Sequence, residues 1–249
     1  MTKYSIISVV NNQYKKFAIV FLKSALANLN MDNIHEIHLL DTGLTNEDHD
    51  LLSNMHEKIN LTRYSDEMLN SKQAWDDGWQ KNVDLKTTFA KQYLQFTNVP
   101  TCMVDIDCMF INDISHIMSS NGDVVLCDRS DIWSGMPIIA SFVAFINIDQ
   151  SIKFLNDWRT CMLNVKGFQT KETPALNDMV RTNTDYDLLA YSHKVVGLYN
   201  YDALNDDTCI LHFKGGGSSE NCSIEDAVDI RFKRFSSFSN TIKGYLQNV

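Results

Sequence analysis

Strand and helix signals alternate along this chain. That alternation restricts the fold more than any other feature, because strands separated by helical patterns pair in one sheet through helical crossovers. Tyr4 to Val10 is β-branched and apolar and reads as a first strand. From Tyr14 to Leu29 the residues Phe17, Ile19, Val20, Leu22, Ala25, Leu26 and Leu29 recur at helical spacing. Ile34 to Leu40 is a second strand, closed by the turn Asp41-Thr42-Gly43. Thr45 with Asp48 three residues on resembles a capping box and opens a helix through about His56. Ile59 to Tyr64 is a third strand. A helix is expected from Val83 to Phe96, stopped ahead of Pro100. An apolar strand follows from Thr101 to Phe110, then strands at Asp123 to Cys127 and Phe142 to Ile148, helices near 150–163 and 174–181, and a short late strand from Cys209 to Phe213. The pattern is that of an α/β protein.

With 44% hydrophobic residues over 249 positions, the chain can build a sizeable core, which excludes disorder for its bulk. No apolar run approaches the ~18 residues of a membrane helix, so no integral membrane segment is expected. The run at the N-terminus is too short for the core of a signal peptide. The six cysteines form no C-x-x-C pair, and with no export signal a reducing, cytoplasmic location is expected. A net charge of -9 argues against a nucleic-acid partner, which needs a basic face. His35-Glu36-Ile37-His38 lacks the four-residue spacing of a zincin motif and reads as strand entry. Trp75 and Trp79, in the polar stretch 71–82, and Trp133, in the loop 128–137, are read either as packing residues or as sugar-stacking platforms. Arg231, Lys233, Arg234 and Lys243 lie among phenylalanines in an amphipathic tail, read as a solvated face with membrane-surface docking as the alternative.

The chemistry concentrates in two places. Asp105 and Asp107 sit one residue apart at the end of an apolar strand, a spacing that turns both carboxylates to the same side. Two acids placed together repel, and a hard divalent cation, magnesium or manganese, resolves the conflict. His212, at the end of the late strand, is a candidate third ligand, and it is followed by Lys214, Gly215, Gly216 and Gly217. Glycines let backbone N–H groups approach an anion and lysine supplies a point charge. A metal, a lysine and a glycine loop together describe a diphosphate site.

In this order the motifs resemble the GT-A glycosyltransferases, most closely the family 8, glycogenin-like and galactinol-synthase-like enzymes. Val9-Val10-Asn11-Asn12-Gln13-Tyr14 with Leu22-Lys23-Ser24-Ala25-Leu26 resembles the first strand and helix that hold uridine. Leu39-Leu40-Asp41-Thr42-Gly43-Leu44-Thr45 resembles the second strand and its turn. Lys86 matches a sugar- and phosphate-contacting lysine, and Asp105-Ile106-Asp107 matches the D-x-D metal motif. Glu172-Thr173-Pro174-Ala175-Leu176-Asn177 resembles the D-Q-x-x-L-N segment beside the donor sugar, and His212-Phe213-Lys214-Gly215 matches H-x-x-G. The chain departs from the family pattern at Ala140-Ser141-Phe142, at Glu172-Thr173, and at Gly216-Gly217-Ser218-Ser219 in place of Lys-Pro-Trp.

The resemblance covers about residues 4–217. It implies one GT-A domain over 1–249, with a helical tail from about 224 to 249 and a mixed, mostly parallel sheet flanked by helices. It further implies a UDP-sugar donor, a hydroxyl acceptor (saccharide, lipid or protein) and retention at the anomeric carbon. Asp105, Asp107 and His212 are then expected to hold manganese or magnesium. Val10, Asn11, Asn12, Tyr14, Asp105, Ile106 and Asp107 would contact the nucleotide, Tyr14 by stacking on the base. Lys86, Lys214 and Gly215 would contact the diphosphate, with Glu172 or Asp178 near the reacting face. Two other readings stay open: a haloacid-dehalogenase-type phosphatase, whose nucleophile motif is also D-x-D, and a non-catalytic nucleotide-sugar-binding module.

Overall fold

The computed structural model describes residues 3–64, 77–166, 171–183, 185–198, 204–213 and 238–247. In chain order the elements are β1 (Tyr4–Val10), α1 (Lys15–Asn28), β2 (Ile34–Asp41), α2 (Asn46–Ser53), β3 (Ile59–Arg63), α3 (Asp77–Thr97), β4 (Thr101–Val104), β5 (Cys108–Phe110), α4 (Ser115–Met118), β6 (Val124–Asp128), β7 (Ile138–Phe145), α5 (Ile148–Asn164), α6 (Glu172–Thr182), β8 (Leu188–Ser192), α7 (His193–Val196), β9 (Ile210–His212) and α8 (Ser239–Leu246). Seven strands form one sheet in the order β3-β2-β1-β4-β7-β6-β8, and β5 pairs with β9 separately. Neighbours in the large sheet are parallel except at β7, which runs antiparallel to both β4 and β6.

β1 is buried throughout because helices cover both of its faces, which is why it reads as a continuous apolar run. Tyr4, Ile6 and Val10 point to the side where α1 packs with Ala18, Ile19, Phe21 and Leu22. Ile7 and Val9 point to the other side, against Phe89 and Leu94 of α3, Phe154 and Trp158 of α5 and Leu176 of α6. A third cluster joins Phe17 and Val20 of α1 to Met109, Leu211, Phe213 and Ile242. Through Ile242, and through Lys23 Nζ donating to the Tyr245 carbonyl at 2.6 Å, α8 is fastened to α1. The described end of the tail is therefore docked on the sheet domain; Arg231, Lys233 and Arg234 lie outside the described residues. Among the described residues no helix is long and apolar enough to cross a membrane.

The topology places a crevice. From β1 the chain crosses to β2 and β3 on one side, then returns to β4 on the other. In open α/β sheets such a reversal leaves a gap outside the carboxyl ends of the two strands, where ligands bind. Here that gap lies beyond Val10 and Val104.

Several boundaries differ from the sequence reading. The strand expected over 101–110 is two strands. β4 stops at Val104, a turn closes with the Cys108 N–H donating to the Asp105 carbonyl at 3.1 Å, and β5 leaves to pair with β9. The two acids cause the break, since a carboxylate within a ladder buried on both faces would lose its hydration uncompensated. The strand expected at 142–148 runs instead over Ile138–Phe145, and Asn147 caps α5. α3 begins at Asp77 rather than Val83, because the polar stretch 77–82 carries no apolar period to read. β8 and α7 had no counterpart in the sequence reading: β8 is an edge strand, only partly buried, and lacks the apolar run of a central one. Trp75 and the Trp79 side chain lie outside what is described.

Trp158 ties α5 to α6, being fully buried and donating from Nε1 to the Glu172 carbonyl at 2.9 Å. Trp158→Ala should cost about 3–5 kcal/mol of stability. Urea unfolding should show a lower midpoint at an unchanged slope; an unaltered midpoint would mean that the helix pair does not depend on this side chain.

Candidate active site

α3 delivers Lys86 to the edge of the crevice, where its side chain is only 8% exposed. Nζ contacts Asp105 Oδ1 and lies 2.8 Å from Glu172 Oε1. Three segments far apart in sequence thus meet at one ammonium group: α3, the turn after β4 and the first residue of α6. Burial by itself would lower the Lys86 pKa, but Asp105 and Glu172 outweigh it and hold the ammonium above the ordinary lysine range. Burial pushes the Glu172 carboxyl up, Lys86 opposes the rise, and the Asp105 charge adds to it.

On its other side Asp105 faces His212. His212 Nε2 lies 3.7 Å from Asp105 Oδ2 and 3.4 Å from Asp107 Oδ1. Strand pairing fixes this approach. His212 is the direct partner of Cys108 in the β5–β9 ladder, and the Phe213 N–H donates to the Asp107 carbonyl at 2.9 Å. The Asp105 N–H is held by the Ser141 carbonyl of β7, also at 2.9 Å. Two carboxylates beside an imidazole are donor types that could hold a divalent cation of the manganese or magnesium kind. Asp107, Cys108 and His212 offer donor atoms within 4.8 Å of one another. Cys108 was not among the residues singled out from sequence; next to Asp107 in the chain, its pairing opposite His212 emerges only with the ladder. Burial pushes its thiol well above the usual range.

At the end of β1, Asn11 is buried and its side chain accepts the Tyr14 N–H at 3.3 Å, closing a 3-10 turn over Asn12–Tyr14. Asn12 is exposed, and Tyr14 is half-buried with its ring 5.8 Å from that of Phe17. Asp41 stiffens the neighbouring turn by accepting the N–H groups of Gly43 and Leu44 at 2.9 and 2.7 Å and contacting His49 Nδ1 at 2.8 Å. Val10 and Ile106 turn their side chains inward. The Val10 side chain is in the core while its carbonyl accepts the N–H and hydroxyl of Thr42 at 2.8 and 3.1 Å, and Ile106 anchors the acidic turn to the same core.

Asp178 is not brought to the cluster. It is exposed and paired with Arg181 at 2.6 Å, because six residues along α6 is about 1.7 turns, which rotates it off the Glu172 face. Asn177, in the segment matched to D-Q-x-x-L-N, is a clamp: it accepts the Ile138 N–H at 2.9 Å and donates to the carbonyls of Ile138 and Thr173, each at 2.8 Å. Trp133 lies between β6 and β7 on the same edge, 46% exposed, with the Arg129 guanidinium 4.4 Å from its ring centroid. Lys214 and Gly215 lie outside the described residues.

No protein-family model matches this chain, and no curated protein matches it. Solved structures do. The galactosyltransferase LgtC in complex with donor and acceptor sugar analogues aligns with a TM-score of 0.60 and 11% identity, covering 95% of this chain and 95% of that one. An active-site mutant of LgtC aligns with a TM-score of 0.62 and 11% identity, over 94% and 95%. The apo structure of the bifunctional glycosyltransferase WbbM aligns with a TM-score of 0.63 and 10% identity, over 98% of this chain and 52% of that one. With its mostly parallel seven-stranded sheet between helices, the chain has the GT-A nucleotide-diphospho-sugar transferase fold.

Proposed function

We propose that the chain is a glycosyltransferase of the family 8 kind, moving a hexose from a UDP-sugar to a hydroxyl acceptor with retention at the anomeric carbon. One observation carries the reading: Lys86, Asp105 and Glu172 meet on one side of the acidic turn and Asp107 and His212 on the other, all at the strand-order reversal of a GT-A sheet. Asp105, Asp107 and His212 would hold manganese or magnesium, which when bound supplies positive charge to the diphosphate leaving group. Asn11, Asn12 and Tyr14 would receive the base. Lys86 donates and Glu172 accepts hydrogen bonds where the donor sugar enters, with Glu172 as the carboxylate nearest the reacting face. Lys214 and Gly215 remain the proposed phosphate contacts. Asp178 takes no part. LgtC was solved with donor and acceptor sugar analogues, which supports a sugar donor and a sugar acceptor here. Incubation with a panel of UDP-hexoses should release UDP in the presence of manganese and not after chelation; no release from any donor would overturn the reading.

Asp107→Asn changes charge with little change in volume. It should lower UDP release by at least about 10²-fold, with the unfolding midpoint close to wild type. Near-wild-type turnover in saturating manganese would remove Asp107 from the metal site.

Lys86→Met leaves Asp105 and Glu172 without their shared counter-charge. Burial already raises the Glu172 carboxyl, and without Lys86 to oppose it the folded-state value rises further above the unfolded one, so the variant is at its most stable where Glu172 is protonated and loses stability as pH climbs through the raised value. The deficit should be small near pH ~4 and reach about 3–5 kcal/mol at pH ~8. Urea denaturation across that range checks it, and a deficit independent of pH would show that packing, not charge, is what Lys86 supplies.

A further inference from the structure

Among the described residues the group of three possible metal ligands that comes together is not built on the D-x-D pair. Asp105 gives one oxygen to Lys86 and keeps the other 3.7 Å from His212 Nε2. Asp107, Cys108 and His212 instead bring a carboxylate oxygen, a thiol sulfur and an imidazole nitrogen within 4.8 Å of one another. The backbone builds this convergence. Cys108 and His212 are opposed across the antiparallel β5–β9 pair, so their side chains project from the same face. The Phe213 N–H to Asp107 carbonyl bond fixes the turn against the same strand. Cys108 is 1% exposed and His212 4%, so both would meet an ion from the protein side while Asp107 meets it from the crevice.

A donor set of one oxygen, one nitrogen and one sulfur suits zinc, which binds all three and leaves a fourth position open in a three-ligand site. Manganese and magnesium favour oxygen, and manganese binds a given site more weakly than zinc. We infer that Cys108 makes this a mixed-donor centre, in which Asp107, Cys108 and His212 take a thiophilic divalent cation of the zinc kind. That ion competes with the harder one assigned above to Asp105, Asp107 and His212; only the competition rests on the proposed transfer. Binding replaces the S–H bond of Cys108 with a sulfur–metal bond and releases the proton to solvent. Because Asp107 and His212 serve both ions, zinc blocks manganese-dependent transfer.

Cobalt is the probe, since a thiolate ligand gives it a charge-transfer absorption in the near ultraviolet. The full-length, metal-free protein should show that band on cobalt addition and lose it when an equivalent of zinc is added. Cys108→Ala should abolish the band and Cys161→Ser should keep it, with circular dichroism confirming that both variants are folded. Loss of even an outer partner costs a metal site on the order of 10–100-fold in affinity, so Cys108→Ala should also raise the zinc needed for half-inhibition of UDP release by at least about tenfold. If Cys108→Ala does not fold, X-ray absorption on the zinc-loaded wild type decides: a sulfur scatterer near ~2.3 Å supports the centre, and a shell of nitrogen and oxygen alone overturns it. Manganese-dependent UDP release without a cobalt–thiolate band overturns the mixed-donor centre and leaves the transferase reading standing. A Cys108-dependent band in a protein that releases no UDP supports the centre and removes the transferase reading.

Discussion

Lys86 carries a full charge to a position where almost none of its side chain reaches water, and a charge so placed must be met by opposite charge or be neutralised. It is met by Asp105 and Glu172, and that requirement ties α3, the turn after β4 and the start of α6 into one arrangement. The tie is reinforced from behind. Trp158 holds the Glu172 carbonyl and Asn177 clamps α6 to the first residue of β7. The compensation overshoots: two carboxylates face one ammonium group, and Asp107 adds a third on the far side of the acidic turn. An excess of negative charge at the mouth of a crevice is what a cation, or a cation with its diphosphate, would relieve.

The second constraint is the short β5–β9 ladder. It contributes little area, yet it decides which residue stands opposite the acidic turn. Register in a ladder moves side chains in steps of two, so a slip by one residue would turn His212 away from Asp107 and bring Leu211 or Phe213 into its place. The apolar neighbours guard against that slip: Met109, Leu211 and Phe213 pack with Phe17 and Val20 of α1 and with Ile242 of α8. The C-terminal helix thereby helps to hold the His212-bearing strand in register.

What could be read in the sequence follows from these constraints. β1 was legible to the residue because burial on both faces leaves an uninterrupted apolar run. Asp105, Asp107 and His212 stand out in the sequence as acids and an imidazole at strand ends, and the structure brings His212 to both carboxylates. The pairing of Lys86 with Glu172 was not, since nothing local in a helix reveals which carboxylate will lie across the crevice. Cys108 escaped because its role depends on a cross-strand partner more than a hundred residues away. Asp178 stands apart from the cluster because proximity to Glu172 along the chain is not proximity around a helix. The division of 101–110 into two strands was hidden because Cys108, Met109 and Phe110 are as apolar as β4; only the acids between them mark the turn.

Asp105 gives the site its coupling. Its two oxygens do different work, Oδ1 compensating Lys86 and Oδ2 facing His212. Its position is set by a third contact, the backbone bond to Ser141 on β7. A change at the Lys86 end frees Oδ1 and alters the charge that Oδ2 presents at the other end; a cation at the His212 end draws on a carboxylate that Lys86 has already polarised. Residues that share a partner in this way have effects that do not add. The Lys86 end and the His212 end of the crevice are therefore not two clusters placed side by side. They are one electrostatic unit with Asp105 as its common member, and that gives the chain a physical reason to carry a lysine, rather than another neutral hydrogen-bond donor, at position 86.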